Sequence, residues 1–188
     1  NALGAYLNKC KITVYGNAQD ATGDTMNSGE IIIHGNCGDA CGYGMRDGKI
    51  FIKGSAGYRA GIHMKEYQTH IPMITIGGKV GDFLGEYLAG GRLIVLGIGC
   101  ESECPVGNFC GTGMHGGAIY IRSEHKPVGL PIQVCCHDAT QEDIESIRAD
   151  VEEFSEYFGY DAKRILSSHF YKLTPNSASP YKQLYVNN

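Results

Sequence analysis

The chain has 188 residues, 43% of them hydrophobic, with 16 Lys and Arg set against 20 Asp and Glu for a net charge of −4. That length suits one domain with a sizeable core, and an acidic balance gives no basic patch for phosphate backbones, which argues against a nucleic-acid partner. No run of about 18 apolar residues offers a membrane span, and the first residues lack the basic and apolar regions of a signal peptide, so a cytoplasmic protein is expected.

In chain order, a short apolar strand phrase begins at Cys10 and returns at Gly29, Gly48, Pro72, Gly91 and Gly117, at steps of 19, 19, 24, 19 and 26 residues. Between the strands runs the phrase G-x-x-G-x-x-x-G, carried by Gly35, Gly38 and Gly42, by Gly54, Gly57 and Gly61, and by Gly78, Gly81 and Gly85, with Gly107 and Gly111 as a partial copy. A fixed period of about 20 to 50 residues marks units too small to bury their own apolar face, which therefore stack. The two long steps are insertions, over residues 65–71 and 98–104.

Alternation at period two predicts strands with one buried face. Two inward columns follow, Ile12, Ile31, Ile50, Ile74, Leu93, Ile119 and Val14, Ile33, Ile52, Ile76, Val95, Ile121. Three more apolar or small columns lie between the strands: Ala18, Cys37, Ala56, Val80, Val106; Leu3, Thr22, Cys41, Ala60, Leu84, Cys110; and Leu7, Met26, Met45, Met64, Leu88, Met114. The Met column reads as pliable core filling. Glycines between these faces read as corners. The expected fold class is all-β, a right-handed parallel β-helix built as a single-stranded solenoid of nineteen-residue coils, with a C-terminal α-helical extension. The expected domains are a β-helix over residues 1–137 and a helical extension with an extended tail over residues 138–188.

Cys37, Cys41 and Cys110 fall on inward columns, where a thiol serves as a small hydrophobe. Cys100 and Cys104 lie in the second insertion and are the candidates for metal binding. They supply two thiolates where a closed zinc site wants four ligands, so Cys110, Cys135, Cys136 or His137 would have to come near; a loop staple or inert thiols is the competing reading. The string from Gly111 to Gly116 spells G-x-G-x-x-G, but a strand follows where a dinucleotide site needs a helix, so it reads as a corner. Asp20, Asp39 and Asp82 share a column that could hold a hard cation or serve acid and base work, against a plainer reading as turn residues.

One outward column carries Thr13, Ile32, Phe51, Thr75, Ile94 and Tyr120. A contiguous apolar surface needs a cover, and Ile32, Phe51, Ile94 and Tyr120 are the expected partner-facing surface. From Thr140, Ile144, Ile147, Val151, Phe154 and Phe158 recur at helical spacing up to a stop at Gly159. This helix is expected either to lie on that face or to dock a neighbouring subunit. A second short helix is expected over residues 161–168, then an aromatic arm from Phe170 to Val186 with Pro175, Pro180, Tyr171, Tyr181 and Tyr185.

The stretches Gly54-Ser-Ala-Gly57-Tyr-Arg-Ala-Gly61, Tyr87-Leu-Ala-Gly-Gly-Arg-Leu-Ile-Val-Leu-Gly97 and Val106 to Ile121 resemble the GXGXG family. That family includes the C-terminal domain of the glutamate synthase large subunit and one of the subunits of formylmethanofuran dehydrogenase. The resemblance implies a stand-alone or split domain that is noncatalytic by itself and works within an oxidoreductase complex for glutamate biosynthesis from glutamine and 2-oxoglutarate. It implies a glutamine amidotransferase and an FMN-dependent synthase as partners, with FMN and an iron–sulfur cluster carried there and no cofactor or catalytic residue in this chain. Formation of a homo-oligomer is a further expectation. The competing readings are the formylmethanofuran dehydrogenase subunit and a free-standing β-helix enzyme.

Overall fold

A computed structural model describes residues 1–176. The repeated apolar phrases form six strands, β1 (Cys10–Val14), β2 (Gly29–Ile33), β3 (Lys49–Ile52), β4 (Met73–Ile76), β5 (Ala89–Val95) and β6 (Gly116–Arg122). They pair in parallel and in chain order, and the register sets Ile12, Ile31, Ile50, Ile74, Leu93 and Ile119 side by side. These columns, with Met26, Met45, Met64, Leu88 and Met114 from the turns, make the main hydrophobic core.

The expectation of an all-β parallel β-helix, a solenoid of closed coils, is overturned. The chain instead builds one open, mixed, eight-stranded sheet together with two helices. After β6 come β7 (Val134–Asp138), α1 (Gln141–Phe158), α2 (Ala162–Leu166) and β8 (Phe170–Pro175). The sheet order is β1-β2-β3-β4-β5-β6-β8-β7, and β8 runs antiparallel to both β6 and β7. On the turn side the units pair through isolated parallel bridges rather than strands, Ala18 to Cys37, Cys37 to Ala56, Ala56 to Val80 and Val80 to Val106, and through scattered backbone bonds such as Gly42 N–H to Thr22 O at 2.7 Å and Gly61 N–H to Cys41 O at 2.8 Å. Backbone geometry explains why no second sheet forms there. Alternate turn residues are left-handed, as at Arg59 (φ 57°), Gly61 (φ 70°) and His63 (φ 55°), and left-handed residues cannot continue a strand. No helix among the described residues is long and apolar enough to cross a membrane.

Polar side chains at the corners tie each unit to the next. Asn17 Oδ1 accepts the Asn36 N–H at 2.8 Å, Asn36 Oδ1 accepts Ser55 N–H at 2.8 Å, and Ser55 Oγ accepts Lys79 N–H at 3.1 Å. One corner later, Asp20 Oδ1 accepts Asp39 N–H and Asp39 Oδ1 accepts Tyr58 N–H, both at 3.0 Å, and Asp82 Oδ1 accepts Asn108 N–H at 2.7 Å. The glycine spacing follows from these bonds. A Cβ at Gly57 would collide with Asp39 Oδ1 from the unit before, and one at Gly61 would come within 2.7 Å of Leu93 in the core.

Helix α1 begins with a capping box, in which Thr140 Oγ1 accepts Asp143 N–H at 3.2 Å and Asp143 accepts Thr140 N–H at 2.9 Å. It ends at left-handed Gly159 (φ 76°). Its apolar stripe of Ile144, Ile147, Val151, Phe154 and Phe158 packs on Ile32, Phe51, Ile94 and Tyr120. The four residues expected to face a partner are therefore a second core within the chain, 0–4% exposed, and that part of the expectation is corrected: α1 supplies the cover. Of the aromatic arm, Tyr171 and Pro175 fall in β8, whereas Pro180, Tyr181, Tyr185 and Val186 lie outside the described residues.

Candidate functional site

The second insertion leaves β5 at Val95 and turns at residues 97–104 before rejoining the repeat at Val106. It borders a cleft of about 140 Å³ lined by Gly97, Cys100, Glu101, Arg122, Ser123, Glu124, Ser168 and His169. Arg122, the last residue of β6, is held in place by two bonds: Nη1 donates to Leu96 O at 2.6 Å and Nε to Ser168 Oγ at 3.1 Å. His169, just before β8, has Nδ1 2.8 Å from Ser123 O and Nε2 3.0 Å from Asp138 Oδ1. With acceptors at both nitrogens the imidazolium is favoured: the Ser123 carbonyl and then the Asp138 carboxylate hold the His169 pKa above its ordinary value, against desolvation.

The cysteines divide among several environments. Cys100 borders the cleft, while Cys104 packs against the end of the main core with Cys136 and next to buried Cys110. Burial pushes all four thiols up, and Cys110 is raised further by the charges that Cys104 and Cys136 would carry. Thus the fold brings Cys104, Cys110 and Cys136 into one neighbourhood and places exposed Cys135 outside it. Among the described residues no group of three or more His, Cys, Asp or Glu is arranged to hold a metal ion. Inside the turns, a hydrogen bond from Cys41 holds the Cys37 thiol below its ordinary value, and that bond and burial push Cys41 up.

The aspartate column does corner work: Asp20, Asp39 and Asp82 each accept a backbone N–H from the following unit. Gly111 and Gly113 are left-handed corners (φ 75° and 70°) that lead into β6 rather than a helix. In the first insertion, Glu66 Oε2 accepts Gly91 N–H at 2.8 Å, and His70 Nδ1 lies 2.7 Å from Asp47 Oδ2.

Two arrangements escaped the sequence reading. Across the turn face, Tyr43, His63 and Tyr87 form a ladder with ring centroids 5.9 and 5.0 Å apart, and Phe83 stacks on Phe109 at 5.1 Å. Arg59 sits 5.2 Å from the rings of both Tyr58 and Phe83. The signal was present in the period, since Arg59, Phe83 and Phe109 share one turn column and His63 and Tyr87 another.

The second is a charged seam along one edge of α1. Lys11, Glu30, Lys49 and Arg92 share an outward sheet column with Met73. Lys11 Nζ lies 2.8 Å from Glu30, Arg92 Nη2 lies 2.9 Å from Asp150, and Lys49 pairs with Asp150 and Glu153. A helix laid across the strands advances about 1.5 Å per residue, so residues three or four apart match the strand spacing of about 4.8 Å. Asp150, Glu153 and Tyr157 are in step with the sheet for that reason. Burial alone would raise Glu30, yet bonds from Lys11, Glu153 and Tyr157 hold its carboxyl below the ordinary value; burial and its carboxylate neighbour raise Glu153 despite Lys49.

Compared with known proteins, residues 1–176 match the family model described as the GXGXG motif. An uncharacterized protein of Methanocaldococcus jannaschii, MJ1350, is 48% identical over 190 residues, an alignment that covers 98% of this chain and 73% of that protein.

Proposed function

Because the chain belongs to the GXGXG motif family, we propose that it is a noncatalytic structural component of a glutamate synthase assembly. In this reading the stacked units hold a glutamine amidotransferase and an FMN-dependent synthase at fixed separation, so that ammonia released by one reaches the other. The observation that carries it is the corner ladder. The carboxylates with the best claim to chemistry, Asp20, Asp39 and Asp82, are spent on backbone N–H groups of the neighbouring unit, which is the use a rigid spacer makes of them.

FMN and the iron–sulfur cluster belong on the partners. The cleft beside the second insertion, about 140 Å³, is small beside the roughly 300–1,000 Å³ of pockets that take cofactor-sized ligands. A cluster typically takes four Cys, and the Cys100 side chain borders that cleft while Cys104 packs on the core. The turn-face ladder of Tyr43, His63 and Tyr87 offers partners a rigid aromatic surface.

The test is co-purification of the tagged chain with an amidotransferase and a flavin protein, followed by glutamine-dependent glutamate synthesis with and without it. Activity that needs the chain, with no turnover by the chain alone, is the expected result. Capture of formylmethanofuran dehydrogenase subunits in their place, or turnover by the isolated chain, would sink the reading.

A further inference from the structure

We propose that the cleft at the end of β5 binds a small oxyanion, a carboxylate or a phosphate, and that the loop's own Glu101 occupies the anion position in the free protein. The loop is shaped for such a charge. Gly97 and Gly99 are both left-handed (φ 56° and 81°), and the neighbouring Ile98 and Cys100 N–H groups are spent on Gly77 O at 2.7 Å and Gly97 O at 3.0 Å, which leaves the Gly99 N–H at the point where an anion would sit. Glu101 fills that point: its Oε1 accepts Gly99 N–H at 3.2 Å.

Several groups around the cleft favour negative charge. Arg122 is fixed by its bonds to Leu96 and Ser168, so its guanidinium is already oriented before any ligand arrives. His169 lines the same space, with Nδ1 on Ser123 O and Nε2 on Asp138 Oδ1; these partners raise its pKa above the ordinary value, and Asp138 offsets part of the positive charge it brings. Glu101 responds as a bound anion would, its carboxyl held below the ordinary value by its own N–H and that of Gly99, with Arg122 and Arg164 adding to the effect. Glu124 also lines the cleft and opposes an incoming anion, which keeps the expected binding weak.

Glu101 is exposed, so a soluble anion can displace it at little cost to the fold. The role goes beyond the structural function proposed above and does not depend on it. The second insertion builds this loop, in which Glu101 bonds an amide of its own turn, whereas the corner carboxylates Asp20, Asp39 and Asp82 accept N–H groups of the following unit.

Inorganic phosphate and succinate, titrated separately into the ¹⁵N-labelled chain, test the inference. Saturable shifts at the amides of Gly99 and Glu101 and at the Arg122 side chain are expected with at least one of them, and which one responds separates phosphate from carboxylate recognition. Removing the internal competitor in Glu101→Ala should tighten binding about fivefold, the upper range for an exposed charge contact. Glu103→Ala removes the same charge from a residue that pairs with Lys79 and should leave affinity unchanged. Absence of saturable shifts with both anions, or an equal gain in both variants, overturns the proposal.

Discussion

The Tyr157 hydroxyl near the end of α1 donates to Glu30 Oε1 on β2 at 2.9 Å and accepts from Lys11 Nζ on β1, also at 2.9 Å. One phenol thus joins the helix to two strands more than a hundred residues earlier. Tyr157→Phe should lower unfolding free energy by about 1 kcal/mol, the usual net worth of a hydrogen bond. Urea unfolding measures it, and a wild-type midpoint would mean the hydroxyl is no more than a solvated tip.

Phe51 and Phe154, both 0% exposed, meet in the second core between sheet and helix. Phe154→Ala should cost about 3–5 kcal/mol and free α1 first. Limited proteolysis should then cut between residues 141 and 158 while the six parallel strands stay protected.

Asp39 separates a corner role from an ionic one. Asp39→Ala removes the acceptor for Tyr58 N–H and should destabilise the fold by about 1 kcal/mol, whereas Asp39→Asn keeps an amide oxygen there and should restore most of the loss. If the column bound a cation, calcium would raise the wild-type midpoint and the Asn variant would not be rescued; neither is expected.

His169 predicts a pH dependence with a defined sign. Its pKa is raised above the ordinary 6.5, chiefly by the Ser123 carbonyl and also by Asp138. The stabilisation is therefore complete below about pH 6.5 and is lost as pH rises through the higher folded-state value. Urea midpoints between pH 6 and pH 9 should fall more steeply for the wild type than for His169→Gln. Parallel curves would remove His169 as the titrating group.

The strand register was legible because its signal is strict: a shift of one residue between Ile31 and Ile50 would turn every Ile in the column to the other face. Helix α1 was legible for a similar reason, with Thr140 and Gly159 closing a stripe of regular spacing. The turn side was not, because left-handed Arg59, His63 and Tyr87 are residue types with no sequence mark of that conformation, and the columns they interrupt look as apolar as strands. Nor could spacing show that β8 would return antiparallel to β6, since that depends on the end of the stack needing a pairing partner. The charged seam was hidden in the same way, for Lys11 and Tyr157 meet only after α1 crosses the sheet.

That crossing sets a limit on length. Contacts of α1 run from Ser146 beside Tyr120 on β6 to Tyr157 beside Lys11 on β1, so the helix spans the full row of parallel strands. From Ser146 to Tyr157 the helix rises about 16 Å, and the long side chains of Tyr120, Tyr157 and Lys11 that make these contacts bridge the rest of the roughly 24 Å from the first strand to the sixth. The helix is a ruler for the repeat. A duplicated nineteen-residue unit in the middle of the sheet would carry its distal contacts out of reach, and only a helix longer by about one turn could measure the enlarged row.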